Sequence, residues 1–250
     1  MSQPSLATRF AALHVKGRPV VLFNAWDAGS AKAIAAAGAP AIATSSWAVA
    51  AAHGYEDGEA IPFAFVEALV ARVVASVPLP VTADVEGGYS DDPATCAANV
   101  ARLVDRGVVG INFEDRVVAG KGLHAIPAQA ARIAAIRRMA DARGVPLFIN
   151  ARSDVFFGAA AGDPVADALA RAKAYADAGA SGLFLPGLVE IDTIAKIADA
   201  TPLPLNVMVM PALPDARALA AAGVARISHG PAAYVRAMDA VRTGAQAAYA

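Results

Sequence analysis

The chain has 250 residues, 21 of them lysine or arginine and 22 aspartate or glutamate, for a formal net charge of -1. With charge that close to neutral and no concentrated basic patch, nothing favours nucleic acid or an anionic membrane surface as a partner. Its length allows one large core in a single domain, residues 1–250, and much of its apolar content is alanine in periodic runs, which suits helices packed on a sheet.

The single cysteine, Cys96, cannot close an intrachain disulfide, which fits a reducing compartment. Residues 1–17 lack a continuous apolar core before a small-residue cleavage site, so they do not read as a signal peptide. Residues 33–52 carry no formal charge over a span long enough to cross a bilayer. They contain Gly38-Ala39-Pro40 and Thr44-Ser45-Ser46, however, and read instead as helix, turn, buried strand and loop. The expectation is a cytoplasmic protein with no membrane span.

In chain order, an amphipathic helix over residues 5–15 leads into a strand over 20–24 that ends in Asn24. Residues 27–37 predict a helix stopped by Gly38, and 40–44 a strand ending in Thr44-Ser45-Ser46-Trp47. A polar, glycine-rich loop follows at 52–59, then a helix over 63–76. The β-branched run after Pro78-Leu79-Pro80 predicts a buried strand that exits through Asp84-Val85-Glu86-Gly87-Gly88. Strand alternation would place Asp84 and Glu86 on one side. Further helices are expected over 93–106, 127–143, 164–178, 190–200, 214–222 and from 231 onward. Strands are expected over 108–113, 146–150, 182–185, 204–208 and 225–228. Strands alternating with crossover-length helices imply a parallel sheet, and repetition over this length closes most naturally as a (β/α)8 TIM-type barrel. A doubly wound open sheet is the alternative, without a glycine-rich nucleotide motif to support it.

Barrel enzymes carry their chemistry at the C-terminal ends of the strands. Here those ends hold Asn24, Ser45, Ser46, Asp84, Glu86, Glu114, Arg152 and Asn206. Carboxylates shielded from water need a compensating cation or hydrogen bonds, and Mg²⁺ or Mn²⁺ suits carboxylate and water oxygens. Arginine's planar fork matches a carboxylate or phosphonate at two points. Together these residue types suggest a small anionic oxo acid, bound to a metal and reacting through an enolate.

The motifs Asn24-Ala25-Trp26-Asp27-Ala28, Thr44-Ser45-Ser46, Gly54-Tyr55-Glu56-Asp57-Gly58-Glu59, Ala83-Asp84-Val85-Glu86-Gly87-Gly88-Tyr89, Gly110-Ile111-Asn112-Phe113-Glu114-Asp115 and Asn150-Ala151-Arg152-Ser153-Asp154 occur in this order. As an ordered set over residues 10–234, the chain resembles the isocitrate lyase/phosphoenolpyruvate mutase superfamily. That resemblance implies an Mg²⁺-binding α/β barrel that makes or breaks C–C or P–C bonds of 2-oxo or 2-hydroxy acids. It also implies a homo-oligomer, a dimer or tetramer, with the last helix exchanged between subunits. By the same resemblance Asp84, Glu86 and Glu114 belong to the metal site, and Asp57 helps hold it. Ser45, Ser46, Trp47 and Arg152 grip the substrate, and Asn206 lies near it.

One departure stands out. The lyases of the superfamily carry a loop cysteine that handles the proton in C–C cleavage. The corresponding stretch here, Val118-Ala119-Gly120-Lys121-Gly122-Leu123-His124, has none, although Lys121 matches the loop lysine. Decarboxylation of an oxaloacetate-like acid, which needs no such acid, is the favoured reaction. P–C chemistry on phosphonopyruvate and an oxo-acid-binding barrel without efficient turnover are the alternatives.

Overall fold

The computed structural model describes residues 1–158 and 162–250. In chain order its elements are α1 (Gln3–Ala11), β1 (Val20–Leu22), β2 (Asn24–Ala25), α2 (Ala28–Ala36), β3 (Ile42–Thr44), α3 (Ser46–Ala52), α4 (Phe63–Ser76) and β4 (Val81–Asp84). There follow α5 (Pro93–Val104), β5 (Gly110–Glu114), α6 (Ile126–Ala142), β6 (Phe148–Arg152), a 3-10 turn (Val155–Phe157) and α7 (Pro164–Asp177). The chain ends with β7 (Gly182–Phe184), α8 (Ile191–Ala200), β8 (Leu205–Met208), α9 (Ala216–Ala221), β9 (Arg226–Ser228) and α10 (Ala232–Tyr249).

All strand pairs are parallel. The strand expected over 20–24 is broken at Phe23 into β1, which pairs with β9, and β2, which pairs with β3. This bent strand joins the two ends of the sheet, so the nine segments form a (β/α)8 barrel. Asn24 ties the seam, donating from Nδ2 to the Thr44 carbonyl at 2.8 Å and accepting from the Gly230 amide at 2.9 Å. The helices start where short acids can cap them: Asp27 accepts from the Ser30 amide, Asp92 from Thr95 and Glu190 from Thr193. Among the described residues no helix is long and apolar enough to cross a membrane.

Two local expectations are corrected. Residues 46–52, read as loop, form α3, because the Ser45 side chain caps an alanine-rich run. Strand β4 stops at Asp84, so alternation does not place Glu86. Glu86 sits beyond the strand in the left-handed region, at φ 50°.

The N-terminal mouth of the barrel is plugged by α1. Phe10 is fully buried with its ring edge-on to Phe148 at 5.5 Å, and His14 stacks on Phe148 at 3.9 Å. The plug enters over Gly110, where a Cβ would lie 2.8 Å from the Phe10 ring. Gln3 Nε2 fastens the helix by donating to the carbonyls of Val104 and Val108.

Burial and the nearby positive charge of Arg226 push His14 down to about 3 from its ordinary 6.5. The native state therefore holds fewer protons there than the unfolded chain, and His14 costs stability as pH falls from 6.5 toward about 3. A His14→Phe variant is expected to lose less stability than wild type across that window, measured as denaturant midpoints. Parallel pH profiles would refute this assignment.

Candidate active site

At the C-terminal end of the barrel is a cavity of about 160 Å³, small beside the roughly 300–1,000 Å³ of sites for drug-sized ligands. Ser45, Ser46, Trp47, Asp57, Asp84 and Arg152 line it, together with Asn24, Asn112, Phe184, Met208, Ser228 and Pro231. Asp84 is the last residue of β4. Its amide donates to Thr44 Oγ1 at 2.9 Å, and its Oδ2 accepts from the Ser46 hydroxyl at 2.9 Å and the Ser46 amide at 3.3 Å. Its other oxygen, Oδ1, is buried with no hydrogen-bond partner.

Glu86 leaves β4 through the left-handed turn and braces the loop at residues 54–59. Its Oε2 accepts from the amides of Gly58 (2.9 Å) and Glu59 (2.8 Å), and Glu59 Oε1 accepts in return from the Tyr89 amide at 2.7 Å. Glu59 and Tyr89 also have positive φ, so three strained non-glycine residues lie within one clamp. Gly88 is required at the turn, since a Cβ there would lie 2.8 Å from the Phe113 ring. Buried Arg132 holds the turn from beneath by donating to the carbonyls of Gly87 and Ser90. Cys96 is buried against the same turn, its Sγ 2.8 Å from the Ser90 carbonyl, and does not line the cavity.

Burial, then repulsion from Asp84 and Asp57, pushes Glu86 up to about 7. Asp57 is raised by burial and by Asp84. Glu114 is pushed up to about 8, chiefly by burial, although Arg152 opposes the shift. Arg152 Nη1 lies 2.8 Å from Glu114 Oε2, and the guanidinium forks onto Asp154 at 2.7 and 2.9 Å. Burial works against this charge, but Glu114 and Asp154 keep the arginine protonated. Asp154 is positioned in turn through Asp115, which is fully buried and meets Arg171 Nη1 at 2.9 Å and the Tyr175 hydroxyl at 2.8 Å.

Of the residues singled out in the sequence, Ser45, Ser46, Trp47, Asp57, Asp84 and Arg152 meet in the cavity wall. Glu86 and Glu114 lie behind it, each 4 % exposed. Asn206 is buried beneath Ser228, accepting its hydroxyl proton at 3.2 Å, and is not in the wall. Lys121 is exposed on the hairpin after β5, which packs through Val118 near Gly58 and Gly87. The sequence reading missed Asn112, Ser228 and Arg226. Their signal was strand alternation: Asn112 is two residues before Glu114, and Arg226 and Ser228 flank an outward Ile227. Burial pushes Arg226 down to about 9, which leaves it protonated at neutral pH, and Asp84 partly offsets the shift.

A closed parallel barrel with carboxylates and one arginine around a small cavity at its strand ends has the layout of a barrel enzyme. The family profile described as phosphoenolpyruvate phosphomutase matches residues 10–249, and the chain belongs to this family, within the isocitrate lyase/PEP mutase superfamily. A crystal structure of a candidate phosphonomutase from Burkholderia cenocepacia J2315 is 45 % identical, with a TM-score of 0.95 over 99 % of this chain and 100 % of that one. An uncharacterized protein of Mycobacterium tuberculosis is 37 % identical over 95 % of this chain and 88 % of its own length. The 2-methylisocitrate lyase of Salmonella typhimurium is 31 % identical over 82 % of this chain and 70 % of its own. An oxaloacetate decarboxylase of Pseudomonas savastanoi is 32 % identical over 68 % and 58 %, respectively. The chain is thus an enzyme of a superfamily whose relatives include lyases and decarboxylases.

Among the described residues no three His, Cys, Asp or Glu side chains converge closely enough to hold an ion between them. The unpartnered Oδ1 of Asp84 fits Mg²⁺, which keeps several waters and takes one or two carboxylates directly. Asp84 would supply a direct oxygen, with Asp57, Glu86 and Glu114 as the neighbouring carboxylates. Mg²⁺ is expected to raise the thermal midpoint of the wild type relative to protein in chelator. Asp84→Asn should remove that increase. An equal Mg²⁺ effect in Asp84→Asn would exclude Asp84 as the anchor.

Proposed function

We propose that this chain is an Mg²⁺-dependent C–C lyase that decarboxylates a small, oxaloacetate-like 2-oxo diacid through an enolate. The observation that carries the reading is the pairing, across one small cavity, of the half-free Asp84 carboxylate with the Arg152 guanidinium. One suits a cation and the other a carboxylate. Asp84 would hold Mg²⁺ directly, with Glu86, Glu114 and Asp57 acting through its waters. Mn²⁺ suits the same oxygen donors. When bound, the ion supplies a Lewis acid that polarises the 2-oxo group and offsets enolate charge.

The chain's own residues do the rest. Arg152 takes a substrate carboxylate at two points, its orientation set by Asp154 and Glu114. Ser45 and Ser46 orient the oxo-acid end, with Asn206 contributing through Ser228. Trp47 and Phe184 cover the reacting carbons and limit water. The C–C bond to the departing carboxylate breaks, its electron pair passes into the enolate, and carbon dioxide leaves. A proton from solvent then gives the 2-oxo acid product. Lys121 would join only if its hairpin closed over the mouth. Lone, buried Cys96 supports a cytoplasmic setting for this chemistry.

The likeness to a candidate phosphonomutase supports a second reading, in which the same acids and arginine serve a P–C bond. A coupled assay for pyruvate from oxaloacetate, corrected for the rate with free Mg²⁺, separates the two. Wild type is expected to turn over, and Asp84→Ala to lose at least about a hundredfold. Absence of turnover above background, with phosphate released from phosphonopyruvate, would replace the first reading by the second. Neither activity would leave an oxo-acid-binding barrel.

Assembly is part of the same proposal. Helix α10 buries only Ala233, while Val235, Met238 and Val241 are exposed, and the outer side of β1 and the break after it is open at Val21 and Phe23. Exchange of α10 between copies would cover both surfaces and give a dimer, or a tetramer built from dimers. Light scattering is expected to find an oligomer for the full chain and a monomer after removal of residues 232–250. A monomeric full chain would refute the exchange.

A further inference from the structure

We infer that Asn112 is a further substrate-binding residue, presenting its side-chain N–H groups to the cavity, and that buried Arg226 is the positioning residue that fixes it there. This rests on the proposed reading of the cavity as an oxo-acid site. Arg226, the first residue of β9, is fully buried, and no carboxylate lies within ion-pairing distance of it among the described residues. Its Nη2 donates to Asn112 Oδ1 at 3.2 Å and its Nε to Ser228 Oγ at 3.1 Å. Asn150 Nδ2 donates to the same Asn112 oxygen at 2.9 Å.

A guanidinium has donors and no acceptor. The Asn112 amide therefore cannot be turned over, because its NH2 would then face the guanidinium's own N–H. With Oδ1 occupied by two donors below, Nδ2 has no partner among the described residues and belongs to a residue that lines the cavity. Asn112 is also the register partner of Asp84 on the adjacent strand. Its N–H groups thus stand beside the carboxylate at the cation position, where they can donate to an anionic oxygen of a bound 2-oxo acid. The same donor orients Ser228: its oxygen accepts from Arg226, so its proton goes to Asn206 Oδ1 at 3.2 Å, away from the cavity. Arg226 acts on the site by setting the direction of hydrogen bonds that it does not itself extend to the ligand.

The test uses oxalate, a planar mimic of the enolate of a 2-oxo acid, titrated calorimetrically into the full-length protein with Mg²⁺. Asn112→Ala is expected to weaken oxalate about tenfold or more, the loss of one hydrogen bond to a charged group. Arg226→Met should weaken it comparably, and the double variant no further than Asn112→Ala alone, because the arginine acts through the amide. Arg226→Lys, which retains donors without the planar fork, should recover part of the loss. Where Arg226→Met does not fold, Asn150→Ala replaces it in the cycle by removing the other donor to Asn112 Oδ1. Wild-type affinity in Asn112→Ala overturns the proposal while leaving the oxo-acid reading intact, and so do losses that multiply in the double variant. Failure of the wild type to bind oxalate overturns the oxo-acid reading itself, and this inference with it.

Discussion

Mutual repulsion among Asp57, Asp84, Glu86 and Glu114 is the constraint that the upper half of the barrel is built to contain. Burial first, and crowded charge after it, favours protonation, and Glu86 and Glu114 are both pushed well above the ordinary carboxylate range. The chain meets the repulsion with three kinds of partner. Backbone amides at Gly58 and Glu59 hold Glu86, the Ser46 amide and hydroxyl hold Asp84, and the Arg152 guanidinium holds Glu114. Each partner also builds the site: the first fixes the loop beside the cavity, the second the start of α3, the third the cavity-lining arginine. One oxygen, on Asp84, stays out of this scheme, and that is where the proposed cation belongs.

Much of this was legible in the sequence, for identifiable reasons. Helices announced themselves through acids that cap and prolines in the first turn, as at Asp92-Pro93 and Asp163-Pro164. Strands announced themselves as short β-branched or aromatic runs leading to polar residues. Residues 46–52 were less legible, because an alanine-rich segment after a strand reads equally as loop or helix until the Ser45 cap is seen. The conformation of Glu86 was not legible at all. Local sequence favours continued strand there, and the left-handed turn is imposed by distant amides on the 54–59 loop.

Asn206 and Arg226 illustrate a different gap. Both are visible as polar residues in apolar strands, but strand position alone does not tell a residue that touches a ligand from one that orients its neighbour. The decision lies in hydrogen-bond direction, and direction is set by Arg226, which can only donate. The interior of this barrel is therefore a polarised core. Asn112, Asn150, Asn206 and Ser228 are buried in one hydrogen-bonded set with Arg226 where many barrels stack aliphatic side chains.

The plug formed by α1 has a kinetic meaning beyond stability. With Phe10 and His14 packed on Phe148 at the lower mouth, the described residues close the barrel at the end opposite the cavity. A ligand that enters this cavity at the upper end would leave by the same end. Two products of a cleavage would therefore depart one behind the other, and the one held by Arg152 and the cation would leave last. Turnover in such a vessel would be governed by egress as much as by bond breaking, and accumulated product would compete with fresh substrate.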